Sequence, residues 1–151
     1  MRYVTHIRNI FTIVLVICCF NMNLHAQNIA DLRWKNRVLI VHTNGDSAVK
    51  FTQQLREFEG ADSELKERKL VLYAIKKDQL SFTSYPDGKS NYEAEIPPDF
   101  LGNYRNPKED FEVHLIGLDG VIKLREKNIV TLEKLFAIID AMPMRRNEIK
   151  N

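Results

Sequence analysis

The sequence predicts an α/β sandwich in which a mixed central sheet is flanked by helices. Three features carry this prediction: a strand–helix–strand unit in the first half, a β-hairpin in the second half, and an amphipathic helix after the hairpin. A strand–helix–strand unit places its strands parallel, whereas a hairpin is antiparallel, so one sheet must contain both directions. With a short helix before the hairpin, the predicted order is β-α-β-α-β-β-α.

An apolar leader precedes the predicted domain. Arg2 and Arg8 give it a positive start, and Ile10–Phe20 forms an apolar core, which together predict a secretory signal peptide over residues 1–26. The apolar run is too short to cross a bilayer, which takes about 20 residues. We therefore expect an exported protein, periplasmic or extracellular, whose residues 27–151 form a single mature domain without a stable membrane span.

Both cysteines of the chain, Cys18 and Cys19, lie inside this leader. The mature domain is therefore expected to have no thiol nucleophile, no disulfide and no sulfur ligand for a metal. The net charge of +2 comes from Arg2 and Arg8, so the mature domain is formally neutral. No basic stripe interleaved with aromatic residues occurs in it, so nucleic-acid binding is not expected. The apolar stripe Leu132–Met142 is interpreted as core, so no cofactor is expected either.

The first half of the mature domain predicts a βαβ unit. Arg37–Thr43 is rich in β-branched residues and almost continuously apolar, which indicates a central strand buried on both faces. Asn44–Ser47 predicts a turn that can cap the following helix at Ala48–Phe58, and Leu70–Ile75 is expected to be the second buried strand. The helix carries apolar residues at mainly helical spacing, at Val49, Phe51, Leu55 and Phe58.

The second half predicts a hairpin and a helix. Phe111–Gly117 and Val121–Arg125 flank Asp119-Gly120, a hairpin signal because both turn residues accept positive φ. Thr131 is expected to cap a helix that ends before Pro143. Its apolar residues share one face, at Leu132, Leu135, Phe136, Ile139 and Met142.

The segment between these halves is the least regular. Leu80–Thr83 and Tyr92–Glu95 predict a small outlying hairpin around Pro86-Asp87-Gly88. Asp99–Tyr104 predicts one or two helical turns.

Four blocks of sequence carry a family resemblance. They are Trp34–Val41, Glu67-Arg68, Gly117–Arg125 and Ile139–Glu148. They resemble a bacterial domain of unknown function that is related to a domain of secreted vertebrate sushi-repeat and equarin-type matrix proteins. The resemblance, like the element order, implies a thioredoxin-like or peroxiredoxin-like fold, and it implies no established reaction.

The loop of Asn44, Gly45, Asp46 and Ser47 lies where a thioredoxin would carry its two cysteines. These residues cannot perform the thiol chemistry of that position. One hypothesis is that free N–H groups at the start of the helix bind a small anion or a carboxylate. The other is that Asp46 or Ser47 simply caps the helix.

His42 and His114 are the only histidines of the mature domain, and Glu112 is expected to share a face with His114. Two imidazoles and a carboxylate are possible ligands for zinc or another divalent metal. Their spacing is not a specific metal motif, so hydrogen-bonded structural histidines are the simpler interpretation and no metal is expected.

Asp140, Arg145 and Arg146 lie together at the end of the predicted last helix. The structural hypothesis is that the arginines balance the helix C-terminus and bridge to Asp140 or Glu148. The alternative is a docking patch for an acidic partner, because arginine offers a bidentate fork. Lys123 and Arg125 add to such a patch if they face the same way.

The function hypothesis is therefore a non-redox binding or interaction module for an unknown protein or small anionic ligand. The alternative is an enzyme or metal-binding protein that uses His42, Asp46 and His114 in place of the thiol site. Trp34, close to Arg37 in sequence, is expected to be a lid on the core.

Overall fold

The computed structural model describes residues 29–77, 79–94, 104 and 108–150. The predicted signal peptide and all but Tyr104 of the predicted turns at Asp99–Tyr104 lie outside these residues. Within the described ranges, no helix has both the length and the apolar character needed to cross a membrane.

Five helices and six strands make up the regular structure of the described ranges. In chain order they are α1 (Ile29–Leu32), β1 (Arg37–Thr43), α2 (Ala48–Arg56), α3 (Asp62–Glu67), β2 (Leu70–Lys76), β3 (Gln79–Ser84), β4 (Lys89–Ala94), β5 (Phe111–Ile116), β6 (Ile122–Glu126), α4 (Leu132–Asp140) and α5 (Pro143–Lys150). The strands form one sheet in the order β4-β3-β2-β1-β5-β6. Because β1 and β2 are parallel and every other pair is antiparallel, the predicted mixed α/β sheet is confirmed.

β1 lies in the middle of this sheet, as its apolar sequence predicts. Val38 is opposite Val71 of the parallel neighbour β2 and opposite Ile116 of the antiparallel neighbour β5. Every residue of β1 is buried, including the polar residues at its two ends, Arg37 and Thr43. Both ends of a fully buried strand therefore need polar partners inside the protein.

Alternation along the strands divides the apolar side chains between two cores. The first core lies between the sheet and the helices α2, α3 and α4, where Leu39, Leu65 and Leu135 are fully buried. The second core covers the opposite face of the sheet, where Val38 and Tyr73 pack with side chains of α1. Because each face of β1 packs against one of these cores, neither face is exposed to solvent.

The hairpin predicted around Pro86-Asp87-Gly88 is present, but its predicted outlying position is wrong. β3 pairs along its whole length with β2, and β4 pairs with β3, so both strands extend the central sheet. Leu80 is buried in the second core, and the ring of Phe82 lies 4.9 Å from that of Tyr73, centroid to centroid. The apolar side chains of β3 would stay in water if this hairpin stood apart, which is why it joins the sheet.

The predicted hairpin at Asp119-Gly120 is confirmed, but its loop is longer than two residues. The Gly117 N–H donates to the Val121 carbonyl at 2.9 Å, and the Gly120 N–H donates to the Gly117 carbonyl at 3.0 Å. Within this loop, Gly120 is the residue with a positive φ, at 77°. This arrangement is a type I turn followed by a left-handed glycine, the usual three-residue hairpin loop.

The last predicted helix is confirmed as α4. Thr131 caps it, because its Oγ1 accepts the N–H of Lys134 at 3.2 Å. Leu135 and Ile139 are fully buried, as their spacing predicts. Pro143 does separate α4 from the C-terminal segment, but it also starts α5, a helix that the sequence did not predict, in a first-turn position that suits proline.

Helix α2 departs from its predicted pattern at two positions. Val49 is 71% exposed, although its spacing places it on the predicted apolar face. Gln54 is fully buried instead. It donates to the Val130 carbonyl at 2.8 Å and accepts the Val130 N–H at 2.7 Å, so a polar side chain occupies a core position by satisfying the backbone before α4.

Candidate functional site

The polar candidates fall at the two ends of β1. Arg37 begins the strand beside β2 and α5, and we call this region the arginine end. His42 and Thr43 finish the strand at the Asn44–Ser47 loop, and we call that region the loop end. The two ends differ in how their polar groups are satisfied.

The loop end is held by the residues just before β5. The Asn44 N–H donates to the Asp110 carbonyl at 3.0 Å, and the Asn44 amide side chain donates to the Glu109 carbonyl at 2.9 Å. The Asp46 N–H donates to the Asp110 carboxylate at 3.2 Å. A carboxylate of the protein itself therefore already occupies one of the loop N–H groups that the sequence assigned to an anion.

Gly45 and Ser47 complete this loop. The Gly45 N–H donates to Thr43 Oγ1 at 3.1 Å, so it too is satisfied internally. Ser47 stands at the N-cap of α2, but its side chain makes no capping hydrogen bond, so the prediction of a cap from Ser47 is wrong. Gly45 has a φ of +124°, and a Cβ there would lie 2.7 Å from Lys77 Cε, so glycine suits this position for two reasons.

His42, Glu112 and His114 lie together on the second-core face of the sheet. His42 is directly opposite Glu112, and His114 is opposite Ile40, in the register of β1 and β5. All three polar side chains are buried, and His114 Nε2 lies 3.6 Å from Glu112 Oε2. The predicted shared face of Glu112 and His114 is therefore present.

The environment of this group keeps His114 neutral at physiological pH. Burial lowers the pKa of His114, Glu112 opposes that effect, and Arg125, which lies opposite His114 on β6, lowers it further. In the described part of the chain, no three His, Cys, Asp or Glu side chains are placed to hold a metal ion. Neither ring nitrogen of His114 has a hydrogen-bond partner within 3.5 Å among the described residues, so its contact with Glu112 is an electrostatic one.

The arginine end is a network of ion pairs between distant parts of the chain. Arg145 is buried, and it donates from Nε to Asp140 at 3.1 Å and from Nη2 to the carboxylate of Glu67. Asp140 also accepts from Arg68 Nη2 at 2.6 Å, and the Arg68 guanidinium lies 3.9 Å from the centroid of the Phe136 ring. The bridge predicted between Arg145 and Asp140 is thus present.

Arg37 connects this network to β1. Its Nη1 donates to the Arg68 carbonyl at 2.9 Å and to Glu148 Oε2 at 3.1 Å. Glu148 also accepts from Lys69 at 3.1 Å, and Arg145 Nη1 lies 3.8 Å from it. Four cations therefore share three carboxylates here, so the arginine end carries an excess of positive charge.

Two predicted members do not join the network. Arg146 is exposed, so the predicted arginine pair is divided between a buried and a solvent-facing side chain. Lys123 lies near the start of β6, where its ammonium pairs with Asp119 of the β5–β6 loop at 2.6 Å. It lines a small cavity together with Arg37, so it lies beside the network and not within it.

Trp34 is not the predicted lid on the core. Its ring is 59% exposed, and the guanidinium of Arg33 lies 5.1 Å from the ring centroid. The Trp34 N–H donates to the Leu118 carbonyl at 2.7 Å, and this hydrogen bond connects the segment between α1 and β1 to the β5–β6 loop. Trp34 also has a φ of +67°, a conformation that is uncommon for a bulky side chain.

Arg37, the central member of the arginine end, was not predicted from the sequence. An arginine at the start of an apolar strand resembles an exposed strand end, so no role was expected for it. The available signal was the family resemblance: Arg37, Glu67-Arg68, Asp140, Arg145 and Glu148 all fall within its blocks. Folding brings these separate blocks to one place.

The comparisons with known proteins agree with that resemblance at the level of the family. No curated protein and no solved structure gives a significant match to the chain. A family profile described as "Domain of unknown function (DUF4174)" matches residues 28–148, which include nearly all of the described structure. The chain therefore belongs to the DUF4174 family of domains of unknown function.

Proposed function

We propose that this protein is an exported thioredoxin-like domain that binds a protein or a small anionic ligand without thiol chemistry. The observation that carries the proposal is the loop after β1. On this scaffold the loop would present the reactive cysteines, but it consists of Asn44–Ser47, and no cysteine follows Cys19 in the chain. Without cysteines at this position the domain has no thiol for redox chemistry, and we infer that it binds a ligand or partner instead.

The arrangement of the strands supports the scaffold in this proposal. β2, β1, β5 and β6 are consecutive in the sheet, with β1 parallel to β2 and the β5–β6 hairpin antiparallel to β1. Helices α2 and α3 connect β1 to β2, and α4 follows the hairpin. These elements support the β-α-β and β-β-α parts of the thioredoxin-like order, with β3–β4 as an added hairpin at the sheet edge. The helix that this order places between β2 and β5 was predicted at Asp99–Tyr104, which lies outside the described residues except for Tyr104. The proposed relation to the vertebrate matrix-protein domain rests on the sequence blocks alone.

A disulfide reductase assay tests the redox part of the proposal. The chain and its C18S/C19S variant are incubated with insulin and dithiothreitol, and turbidity is followed against a thioredoxin standard. We expect both to remain at the rate of dithiothreitol alone. Accelerated insulin reduction by the C18S/C19S variant would contradict the proposal, because no thiol would remain in it.

Export is tested separately by N-terminal sequencing of the protein from the extracytoplasmic fraction of the host. We expect the sequence to begin at or near Gln27, after removal of the leader. A mature terminus before residue 18 would retain both cysteines and contradict the thiol-free domain.

A second candidate is a metal-binding protein or enzyme that uses His42 and His114, with Asp46 on the adjacent loop. The observation in its favour is the shared burial of both histidines with Glu112 on one sheet face. Equilibrium dialysis against zinc tests it, with H42A/H114A as the control variant. Zinc retained by the native chain and lost from the control would favour this candidate, whereas no retention would remove it.

A further inference from the structure

In the described part of the chain, β6 is the last strand of the sheet. It pairs with β5 on one side of Ile122–Glu126, and the sheet order places no strand on its other side. An edge strand presents a row of unpaired N–H and C=O groups, so it can accept one more strand through backbone hydrogen bonds. We call the outer side of Ile122–Glu126 the β6 edge.

An irregularity in β6 brings an apolar and a cationic side chain to the same face. Arg125 lies opposite His114 and Ile122 lies opposite Ile116, with a register shift after Leu115. His114 and Ile116 are two residues apart in β5, so they point to the same face of the sheet. Because residues directly opposite each other share a face, Ile122 and Arg125 also lie together on the side of the second core.

Exposed apolar side chains gather at the start of the β6 edge. Ile122 is 38% exposed, and Val121, just before it, is 55% exposed. Trp34 is also exposed and lies beside the same loop, because its N–H bonds to the Leu118 carbonyl. These three are half of the six large apolar side chains that are exposed in the described ranges. Such a concentration beside a free strand edge indicates a docking surface.

Strand β6 has one unbalanced charge, and it is positive. Arg125 is exposed, and it makes no ion pair or side-chain hydrogen bond with the residues that the structure describes. The other charges of the strand are already paired, Lys123 with Asp119 and Glu126 with Lys134. An acidic side chain on an incoming strand therefore complements β6.

A second copy of this chain does not fit the same edge. If two β6 strands paired antiparallel with Leu124 opposite Leu124, Lys123 of each copy would lie opposite Arg125 of the other. Moving the centre by one residue would place Arg125 opposite Arg125, or Lys123 opposite Lys123. Like charges directly opposite each other are destabilising, and charged side chains protect edge strands from self-pairing. The charges that oppose a second copy favour an acidic strand.

We propose that the β6 edge binds an extended acidic segment of a protein partner as an added strand. The backbone of this segment pairs with β6, one of its acidic side chains contacts Arg125, and an apolar side chain two residues away contacts Ile122. This inference rests on the proposed binding function and names the class of partner.

The probe is the peptide acetyl-Thr-Val-Thr-Glu-Thr-Val-Thr-amide, with analogues that carry Gln or Lys in place of Glu. Its glutamate and valines share one face of a strand, and their order is the same in either strand direction. Binding is followed in ¹H–¹⁵N spectra of the full chain at constant ionic strength. We expect a saturable response to the Glu peptide with a Kd on the order of 1 mM. The Gln peptide should bind about threefold more weakly and the Lys peptide more weakly still.

Amide hydrogen exchange tests the backbone pairing. The N–H groups of Ile122–Glu126 that point away from β5 exchange with solvent in the free chain, and an added strand should slow their exchange. A contact made by side chains alone would leave their exchange unchanged. Binding of the Glu peptide without slower exchange in β6 would overturn the added strand.

A charge reversal tests the role of Arg125. R125E should weaken binding of the Glu peptide by at least about threefold and should favour the Lys peptide instead. R56E is the matched control, because Arg56 is also exposed and without an ion pair in the described ranges, but it lies on α2. R56E should keep the native preference. The native preference in R125E would contradict the contact with Arg125.

No saturable response to any of the three peptides, or equal affinity for all three, would overturn the proposal. A dimer in sedimentation equilibrium of the native chain, with β6 amides protected before any peptide is added, would also overturn it, because a second copy would then occupy the edge. The proposed function fails on different grounds, through insulin reduction by the C18S/C19S variant. Absence of peptide binding with absence of reductase activity would therefore reject only the β6 edge.

Discussion

Both ends of β1 carry buried polar side chains that need hydrogen-bond or ion-pair partners, and the two ends obtain them from different parts of the chain. At the loop end, Asn44 and Asp46 are satisfied by hydrogen bonds with the short segment before β5. At the arginine end, Arg37 depends on Glu148, 111 residues away in the chain. The comparison teaches that N–H groups of the loop end, where an anion site was predicted, are already bonded within the protein. The arginine end has donors that exceed its acceptors.

The largest expected effect comes from removing the buried cation with R37M. Glu148 would lose its most buried partner, and breaking one side of a buried ion pair typically costs about 3–5 kcal/mol. Urea unfolding measures the loss. A loss below about 1 kcal/mol would show that the arginine end contributes little to stability.

The double variant R37M/E148M sharpens this result. Replacing both members of a buried pair by apolar residues avoids an uncompensated charge. We expect it to be more stable than R37M, which would give a measurable coupling energy between the two sites. Strict additivity of R37M and E148M would contradict the contact.

Acid should weaken the arginine end through two of its carboxylates, Asp140 and Glu148. Burial alone would raise the pKa of Asp140, but hydrogen bonds from Arg68 and Arg145 outweigh it and hold that pKa below its ordinary value of 3.8. Burial likewise opposes Lys69 and Arg37 at Glu148, whose pKa lies below its ordinary 4.5. Carboxylates with lowered folded pKa values add stability that is complete above about pH 4.5 and is lost as pH falls through those values.

D140N tests this acid dependence. We expect it to lower stability at pH 7 by about 1 kcal/mol, because Asp140 is partly exposed, and to flatten the loss between pH 4.5 and 3. Urea unfolding across this range measures both. E59Q, at an exposed carboxylate, is the control. An acid limb that is the same in D140N and the native chain would contradict the assignment.

His114, a buried histidine close to the loop end, should respond to milder acid. Burial, opposed by Glu112, lowers the pKa of His114 below its ordinary 6.5, so the folded protein resists protonation that the unfolded chain accepts. Stability is therefore complete above about pH 6.5 and falls as pH decreases through the folded pKa. H114Q should remove this component, visible as a smaller difference in urea midpoint between pH 7.5 and pH 5.5. An unchanged difference would show that His114 does not titrate on unfolding.

The smallest expected losses of stability come from substitutions at two helix N-caps. Thr131 accepts the Lys134 N–H, so T131A should cost about 1 kcal/mol. Ser47 makes no such bond, so S47A should cost only a few tenths of a kcal/mol. Thermal unfolding of the two variants, measured side by side, decides this. Equal losses would mean that Ser47 caps α2 after all.

The spacing of apolar residues and the identity of turn residues were sufficient to predict most of the fold. The apolar run of β1, the spacing of α4 and the Asp119-Gly120 turn each depend on residues close together in sequence. The β3–β4 hairpin was misplaced because its apolar residues are few, and its position depends on pairing with β2. Local patterns contain no information on such a partner.

The site was less predictable for the same reason. Asp140 and Arg145 are neighbours in sequence, and their bridge was predicted. Arg37, Arg68 and Glu148 come from three separate segments, and the burial of Arg37 follows from the docking of α5, a helix that the polar tail did not suggest. The loop N–H groups were predicted to bind an anion, but the Asp110 carboxylate that accepts the Asp46 N–H lies 64 residues further along the chain.

The most direct test of this comparison asks whether the loop end has N–H groups left to bind an anion. Phosphate is titrated into the full chain at constant ionic strength, and ¹H–¹⁵N spectra are recorded at each step. The amide signals of Gly45 and Ser47 should stay in place, because Thr43 and Asp110 already hold the loop. Saturable shifts of both signals would place an anion at the loop end and contradict the account.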